Sequence, residues 1–372
     1  MKTAIPVENG DVLASVRGFL ARLLESGTLE AIYVPLEDGS GALIPALVTD
    51  PARMARANPL APVMPINGAR AVSALTGKKA PGRIGAVLRP CEIRALIELV
   101  KLQQATLEGL TLIGVDCPGT YELPRYMERR GQGSIGLDEV LAAARDGRDP
   151  GSEGFVLRTA CRTCLHPAPD PAAIRLELFG LDPAQGLTIE MPDDLAAKLG
   201  CAAASSEGAR RDVLEKVVAT HGAAREKELA GIHAQMNANG GLPSLFNACI
   251  RCHNCMTACP ICYCKTCLFK SASFDHKPEH YLSAAQRKGA LRMLSDALLF
   301  QLTRMNHMSA SCVSCGMCTS ACPSEIPVGL IFSAVGAQVQ AAFGYEPGRS
   351  LEDPLPLVTF QANEWTEVGE AK

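Results

Sequence analysis

Twice in this chain, four cysteines and a proline follow one spacing, C-x2-C-x2-C-x3-C-P. The first run is Cys249, Cys252, Cys255 and Cys259-Pro260, and the second is Cys312, Cys315, Cys318 and Cys322-Pro323. A cubane [4Fe-4S] cluster needs four thiolates at its corners, and spacings of two place three of them inside one tight turn. The fourth cysteine, turned away by its proline, ligates the other cluster of a pair. The spacing therefore assigns Cys249, Cys252, Cys255 and Cys322 to one cluster, and Cys312, Cys315, Cys318 and Cys259 to the other. Zinc sites favour paired C-x2-C units, and a disulfide framework explains neither the triplets nor the prolines. A chain with two such runs moves electrons.

Sixteen cysteines in 372 residues would suggest a disulfide scaffold in a secreted chain. Here they fall in ligand runs, which implies a reducing, cytoplasmic setting. The opening Met1–Asp11 carries no signal pattern, and no apolar stretch reaches membrane-spanning length. A net charge of -3 offers no basic excess to neutralise phosphates, which argues against a nucleic-acid partner.

Val12, Leu13, Val16, Phe19, Leu20, Leu23 and Leu24 form a helical stripe, read as core packing. Residues 31–36 and 42–48 read as a hairpin across the turn-rich 37–41. Residues 51–65 are Pro-rich and read as loop. Residues 83–88 read as a buried strand, 93–104 as a helix and 110–115 as a second strand. Together they make a βαβ unit with a parallel pair. Residues 155–157 read as a third strand. Each strand delivers cysteine at its carboxyl end: Cys91, Cys117, then Cys161 and Cys164. In open α/β sheets, ligands bind at that edge.

Those four cysteines make one further cubane's worth. The alternative is isolated core cysteines, since Cys is among the most buried residue types. Adjacent Pro and Gly at two positions, and the C-x2-C at the third, mark turns instead and favour a third cluster. Cys262, Cys264 and Cys267 remain; they either ligate a metal or cluster with a distant fourth donor or shield the neighbouring cluster. Cys201, His253 and His276 are the candidate fourth donors.

Residues 205–239 are charged and helical in pattern, and Gly240-Gly241-Leu242-Pro243 breaks the chain. The division expected is 1–240, then a ferredoxin domain over 241–345, then a tail over 346–372. Leu291, Leu294, Leu298, Leu302 and Met305 recur at helical spacing between the cysteine runs, which suits an α-helical ferredoxin domain. Leu330, Ile331, Phe332, Val335 and Val339 repeat the pattern after the second run, and a partner subunit is expected to dock on this domain.

Weaker signals carry less. Residues 131–136 match G-x-G-x-x-G but follow no strand, so a glycine-rich turn is the better reading. Arg89 and Arg94 flank Cys91 and suit either a cofactor phosphate or surface ion pairs. Trp365 reads as a packing anchor. Hydrolase motifs are lacking.

Residues 88–99 (LRPCEIRALIEL) and 114–119 (GVDCPG) resemble the coenzyme F420 hydrogenase/dehydrogenase beta-subunit family. Cys161-Arg162-Thr163-Cys164 fits its C-x2-C motif, and the runs from Cys249 to Cys267 and Cys312 to Pro323 are nearest to its formate dehydrogenase beta subunits. The resemblance implies FAD, iron–sulfur clusters, a deazaflavin or similar hydride carrier, and a separate catalytic subunit of formate dehydrogenase or hydrogenase type. The implied fold is a flavin-binding α/β domain with a parallel βαβ core, followed by an α-helical ferredoxin domain with two [4Fe-4S] clusters. Chemistry supports the flavin independently: clusters pass single electrons, hydride carriers take two, and a flavin converts between them. The sheet edge at Arg89, Pro90, Glu92, Asp116 and Gly119 is the expected flavin site. Two other readings compete: a non-catalytic conduit joining a dehydrogenase or hydrogenase to a heterodisulfide-reductase-like complex, and a redox-sensing cluster protein.

Overall fold

A computed structural model describes residues 1–356 except 78, 132–135, 152–154, 205–207, 239, 276 and 290–295. His276, Leu291, Leu294, Trp365 and most of the glycine-rich 131–136 segment thus lie outside the described residues.

The chain begins with strand β1 (Lys2–Ile5) and helix α1 (Val12–Glu25). Asp11 caps α1 by accepting from Ala14 N at 2.8 Å. The expected stripe of α1 is its buried face. β2 (Ala31–Glu37) and β3 (Leu43–Val48) form the expected hairpin. Asp38 holds its turn by accepting from the backbone of Ser40 and Ala42. After α2 (Gly68–Thr76) come β4 (Ile84–Leu88), α3 (Pro90–Lys101) and β5 (Leu110–Val115), the expected βαβ unit with a parallel pair. α4 (Leu123–Gly131), α5 (Leu137–Asp146) and the single turn α6 (Thr159–Arg162) follow. β6 (Ile174–Glu177) and β7 (Leu187–Glu190) complete one seven-stranded sheet, order β1-β7-β6-β5-β4-β2-β3. Its centre, β2, β4, β5 and β6, is parallel, and both edges are antiparallel.

The reading of 155–157 as a sheet strand is corrected: β5 pairs with β6 instead. Phe155 and Leu157 are buried beside Tyr121 in a small separate cluster, with the Phe155 and Tyr121 rings 4.2 Å apart. An apolar triplet alone does not distinguish such packing from a strand.

The second half is helical: α7 (Asp193–Lys198), α8 (Gly208–Asn237), α9 (Gly241–Leu245), α10 (Asn254–Ala258), α11 (Pro278–Lys288), α12 (Ala297–Met308), α13 (Met317–Ser320) and α14 (Val328–Ala342). The chain does break at Gly240 and Gly241, both at positive φ. The two halves nonetheless share one core. Val72, Leu96 and Leu99 of α2 and α3 pack into the same buried cluster as Phe246, Met256, Phe300 and Phe332. The opposite sheet face is covered by α1. No helix among the described residues is long and apolar enough to cross a membrane.

Two helical stripes face differently from their sequence pattern. On α12, Leu302 is exposed while Phe300, Gln301, Arg304, Met305 and Met308 are buried. On α14, Ile331 and Phe332 are buried in the protein's own core, with Leu330 and Val335 partly buried against it.

Candidate functional site

The two cysteine triplets have the same backbone. In the first, Arg251 (φ 55°) and His253 (φ 63°) flank the middle Cys252; in the second, Ser314 (φ 57°) and Gly316 (φ 73°) flank Cys315. Left-handed residues reverse the chain on each side of the middle cysteine and curl the triplet around a common centre. Three of the four carry a side chain, and each costs roughly 1–2 kcal/mol in that conformation. Strain of this kind persists where surrounding structure or a bound group over-determines it. The last cysteine of each triplet, Cys255 or Cys318, sits on the short helix that follows, α10 or α13.

Cys259 stands with the other run's triplet. Burial pushes the thiols of Cys312, Cys315 and Cys318 up, Cys315 to about 12, and Cys259 is the next largest influence on each. Cys255 is also pushed up by burial, with Cys249 and Cys252 as its cysteine neighbours and Arg304 acting in the opposite sense. Cys322 is half-buried against the same core.

Cys91, Cys117, Cys161 and Cys164 come from different elements yet line one cavity of about 440 Å³. Cys91 rides the first turn of α3, Cys117 follows β5, Cys161 lies on α6 and Cys164 just beyond it. Cys312 and Cys315 share the cavity wall, and Cys315 is, after burial, the largest influence raising the Cys91 thiol. The cavity thus joins the sheet edge to the second triplet. Three of its thiols have donors aimed at sulfur. Arg89 Nη1 donates to Cys117 Sγ at 3.4 Å, Thr120 N to Cys161 Sγ at 3.3 Å and His166 N to Cys164 Sγ at 3.4 Å. Arg158 Nη2 also reaches Cys161 Sγ at 3.7 Å, while its Nη1 reaches Ser320 on α13.

Four thiols on one cavity wall, three of them with N–H donors aimed at sulfur, suit a cluster. A cubane spreads its thiolates over separate corners and accepts hydrogen bonds at its sulfurs. Cationic side chains around the cavity, Arg89, Arg94, Arg158 and Arg225, suit the net negative charge of a ligated cluster or of a flavin pyrophosphate.

The residues expected to hold flavin divide. Arg89, Pro90 and Gly119 line the cavity. Glu92 and Asp116 hold partners within the fold. Glu92 accepts from Gly68 N at 2.6 Å and Arg89 N at 2.8 Å, fixing the start of α3. Asp116 accepts from Leu178 N and Phe179 N at 2.7 and 3.1 Å and pairs with Arg210. Both carboxylates are buried, and acidic residues after strands read alike whether they face a ligand or the backbone.

Cys262, Cys264 and Cys267 form a loose group: Cys264 is exposed, and Cys267 Sγ lies 3.8 Å from Met256 Sδ. Cys201 packs on the opposite sheet face and is no fourth donor to them. His253 tilts against the Phe300 ring, and its Nε2 is buried without a hydrogen-bond partner. Sequence reading missed Thr120, Arg158, Gln301 and Arg304, the polar groups beside the sulfurs. Gln301 and Arg304 sit in a helix that also carries Thr303, Asn306 and His307, so no sequence pattern set them apart.

Residues 244–326 match the family model described as a 4Fe-4S dicluster domain, so that segment is an iron–sulfur domain. The longer resemblance is to oxidoreductase subunits. The F420-dependent formate dehydrogenase subunit beta of Methanocaldococcus jannaschii is 26% identical over 308 residues, covering 74% of this chain and 75% of that protein. The F420-dependent formate dehydrogenase 1 subunit beta of Methanococcus maripaludis is 26% identical over 315 residues, with 74% and 75% covered. The chain is therefore a relative of these beta subunits, as the motifs at 88–99 and 114–119 imply. A solved structure of the F420-reducing [NiFe] hydrogenase complex from Methanosarcina barkeri aligns with a TM-score of 0.43 and 11% identity, covering 62% of this chain and 92% of that one.

Proposed function

We propose that this chain is the electron-transfer beta subunit of a formate dehydrogenase-like or hydrogenase-like complex. It exchanges electrons between a hydride carrier, such as coenzyme F420 or NAD(P), and a catalytic partner subunit. The observation that carries this is the continuity of the cysteine sites. Cys91, Cys117, Cys161 and Cys164 share a cavity wall with Cys312 and Cys315, and Cys259 links that triplet to the first run. When bound, clusters supply one-electron transfer, and FAD would supply conversion to the two-electron currency of a hydride carrier.

The chain's own residues hold and insulate such groups. Arg89 and Arg158 place guanidinium charge beside Cys117 and Cys161. Thr120 and His166 give backbone N–H donors to sulfur. The apolar core around Phe300, Met305 and Phe332 excludes water from the ferredoxin side. Arg94 and Arg225 on the cavity wall suit the flavin pyrophosphate, with Arg89, Pro90 and Gly119 beside it.

The test is anaerobic purification with its native partner, iron and acid-released flavin analysis, and steady-state assay with F420, NAD and NADP. Flavin with carrier-dependent reduction is the expected result. Full iron with no flavin and no carrier turnover would replace this reading with the conduit to a heterodisulfide-reductase-like complex.

A further inference from the structure

Arg304 lies inside the ferredoxin half, 3% exposed. Its Nη1 donates to Cys255 Sγ at 3.0 Å and to Gln301 Oε1 at 3.2 Å, and its Nη2 donates to Cys255 O at 3.2 Å. The guanidinium stands 4.8 Å from the Phe332 ring centre and 5.5 Å from that of Phe300. No carboxylate is among these partners. The same side chain borders a small cavity with Cys259, Cys312, Cys315 and Cys318. One buried cation therefore touches a ligand of the first cluster and faces ligands of the second.

A guanidinium buried without an opposite charge costs several kcal/mol, and it is tolerated where an anion balances it. A cluster held by four thiolates is such an anion. Its reduction adds one electron, forms and breaks no bond, moves no proton, and makes the site one unit more negative. A fixed positive charge favours that more negative state, and an N–H donor on a ligating sulfur acts in the same direction. Cys255 receives the donor directly, whereas the Cys312–Cys318 site feels the charge only through space.

We propose that Arg304 is a positioning residue that raises the reduction potentials of both ferredoxin-type clusters, and raises that of the Cys249, Cys252, Cys255 and Cys322 site more. It would bias electrons away from the sheet-edge cavity and towards the Cys249–Cys255 end. The inference rests on the cluster reading above.

The experiment is a redox titration of the anaerobic holoprotein, followed by electron paramagnetic resonance, in wild type, Arg304→Gln and Arg304→Lys. Iron analysis comes first, because wild type without iron would sink the cluster reading itself. In Arg304→Gln with full iron, the oxidised-to-reduced ratio of one cluster at fixed potential should rise about tenfold, a midpoint about 59 mV lower. The other cluster should shift less. Arg304→Lys keeps the charge but not the fork, and its shift should be smaller and in the same direction. If Arg304→Gln loses iron, a loaded Arg304→Lys with a lowered midpoint still supports the proposal. Unchanged midpoints in any loaded variant overturn it. Loss of iron from both variants would assign Arg304 a purely structural part and overturn it equally.

Discussion

The Tyr345 hydroxyl donates to Glu98 Oε1 at 2.6 Å, joining the segment after α14 to the last turn of α3. Gly348 N donates to the same oxygen at 2.8 Å, and Lys101 Nζ pairs with it at 2.8 Å. Arg94 Nε donates to Pro347 O at 2.9 Å. One oxygen of a fully buried carboxylate thus takes partners from its own helix and from a segment some 250 residues further on, while Oε2 has no hydrogen-bond partner among the described residues. The helix so latched carries Cys91 in its first turn.

Tyr345→Phe removes one donor from that carboxylate and should lower stability by about 1–3 kcal/mol, read by anaerobic denaturant unfolding. Gly348→Ala should cost more. Gly348 has φ +72°, and an added Cβ would collide with the Arg94 backbone. Unfolding midpoints unchanged in both variants would refute the latch.

Asp116→Ala should be among the most damaging single changes away from the cysteines. It leaves Leu178 N and Phe179 N without their acceptor and Arg210 without its closest partner. Breaking a buried pair of this kind costs about 3–5 kcal/mol. Soluble yield and thermal unfolding read the loss, and a variant as stable as wild type would return Asp116 to the cofactor role expected of it from sequence.

Crossed ligation makes opposite predictions for two prolyl-linked cysteines. Cys259→Ser should perturb the resonance of the Cys312–Cys318 cluster, and Cys322→Ser that of the Cys249–Cys255 cluster. Spectra that change the other way round would show each run closing on its own fourth cysteine.

Cys91→Ser should lower iron from about twelve to about eight per chain if each cubane carries four. Gly316→Ala attacks the same junction from the other side. Gly316 has φ +73°, and an added Cβ would strike the Ala160 side chain, beside Cys161. Both the sheet-edge site and the second triplet should load poorly in that variant. Iron content equal to wild type in Cys91→Ser would remove the third cluster.

Short-range signals carried most of what was legible in the sequence. The cysteine spacings, the α1 stripe, the β2–β3 hairpin and the β4–α3–β5 unit each depend on neighbours within about one element, where periodicity is informative. Residues 155–157 failed because three apolar residues fit a strand and a satellite cluster equally well. Leu302 misled because leucine spacing marks a helix but not which face is buried; here Gln301 and Arg304 turn inward towards sulfur. Glu92 and Asp116 meet the same limit: a backbone N–H acceptor and a ligand contact need the same residue type. Arg304 could not be read as a sulfur donor until α12 was seen beside Cys255.

The shared core bears on how such a subunit can be inherited. A ferredoxin with its own interior can be lent between proteins as a cassette. This one cannot be lifted out cleanly. Without Leu96 and Leu99 of α3, the cluster containing Phe246, Phe300 and Phe332 would lose part of its cover. Each Å² of apolar surface returned to water costs about 25 cal/mol. A cut at the Gly240–Gly241 pair, which looks like a seam, would therefore open this core on both sides.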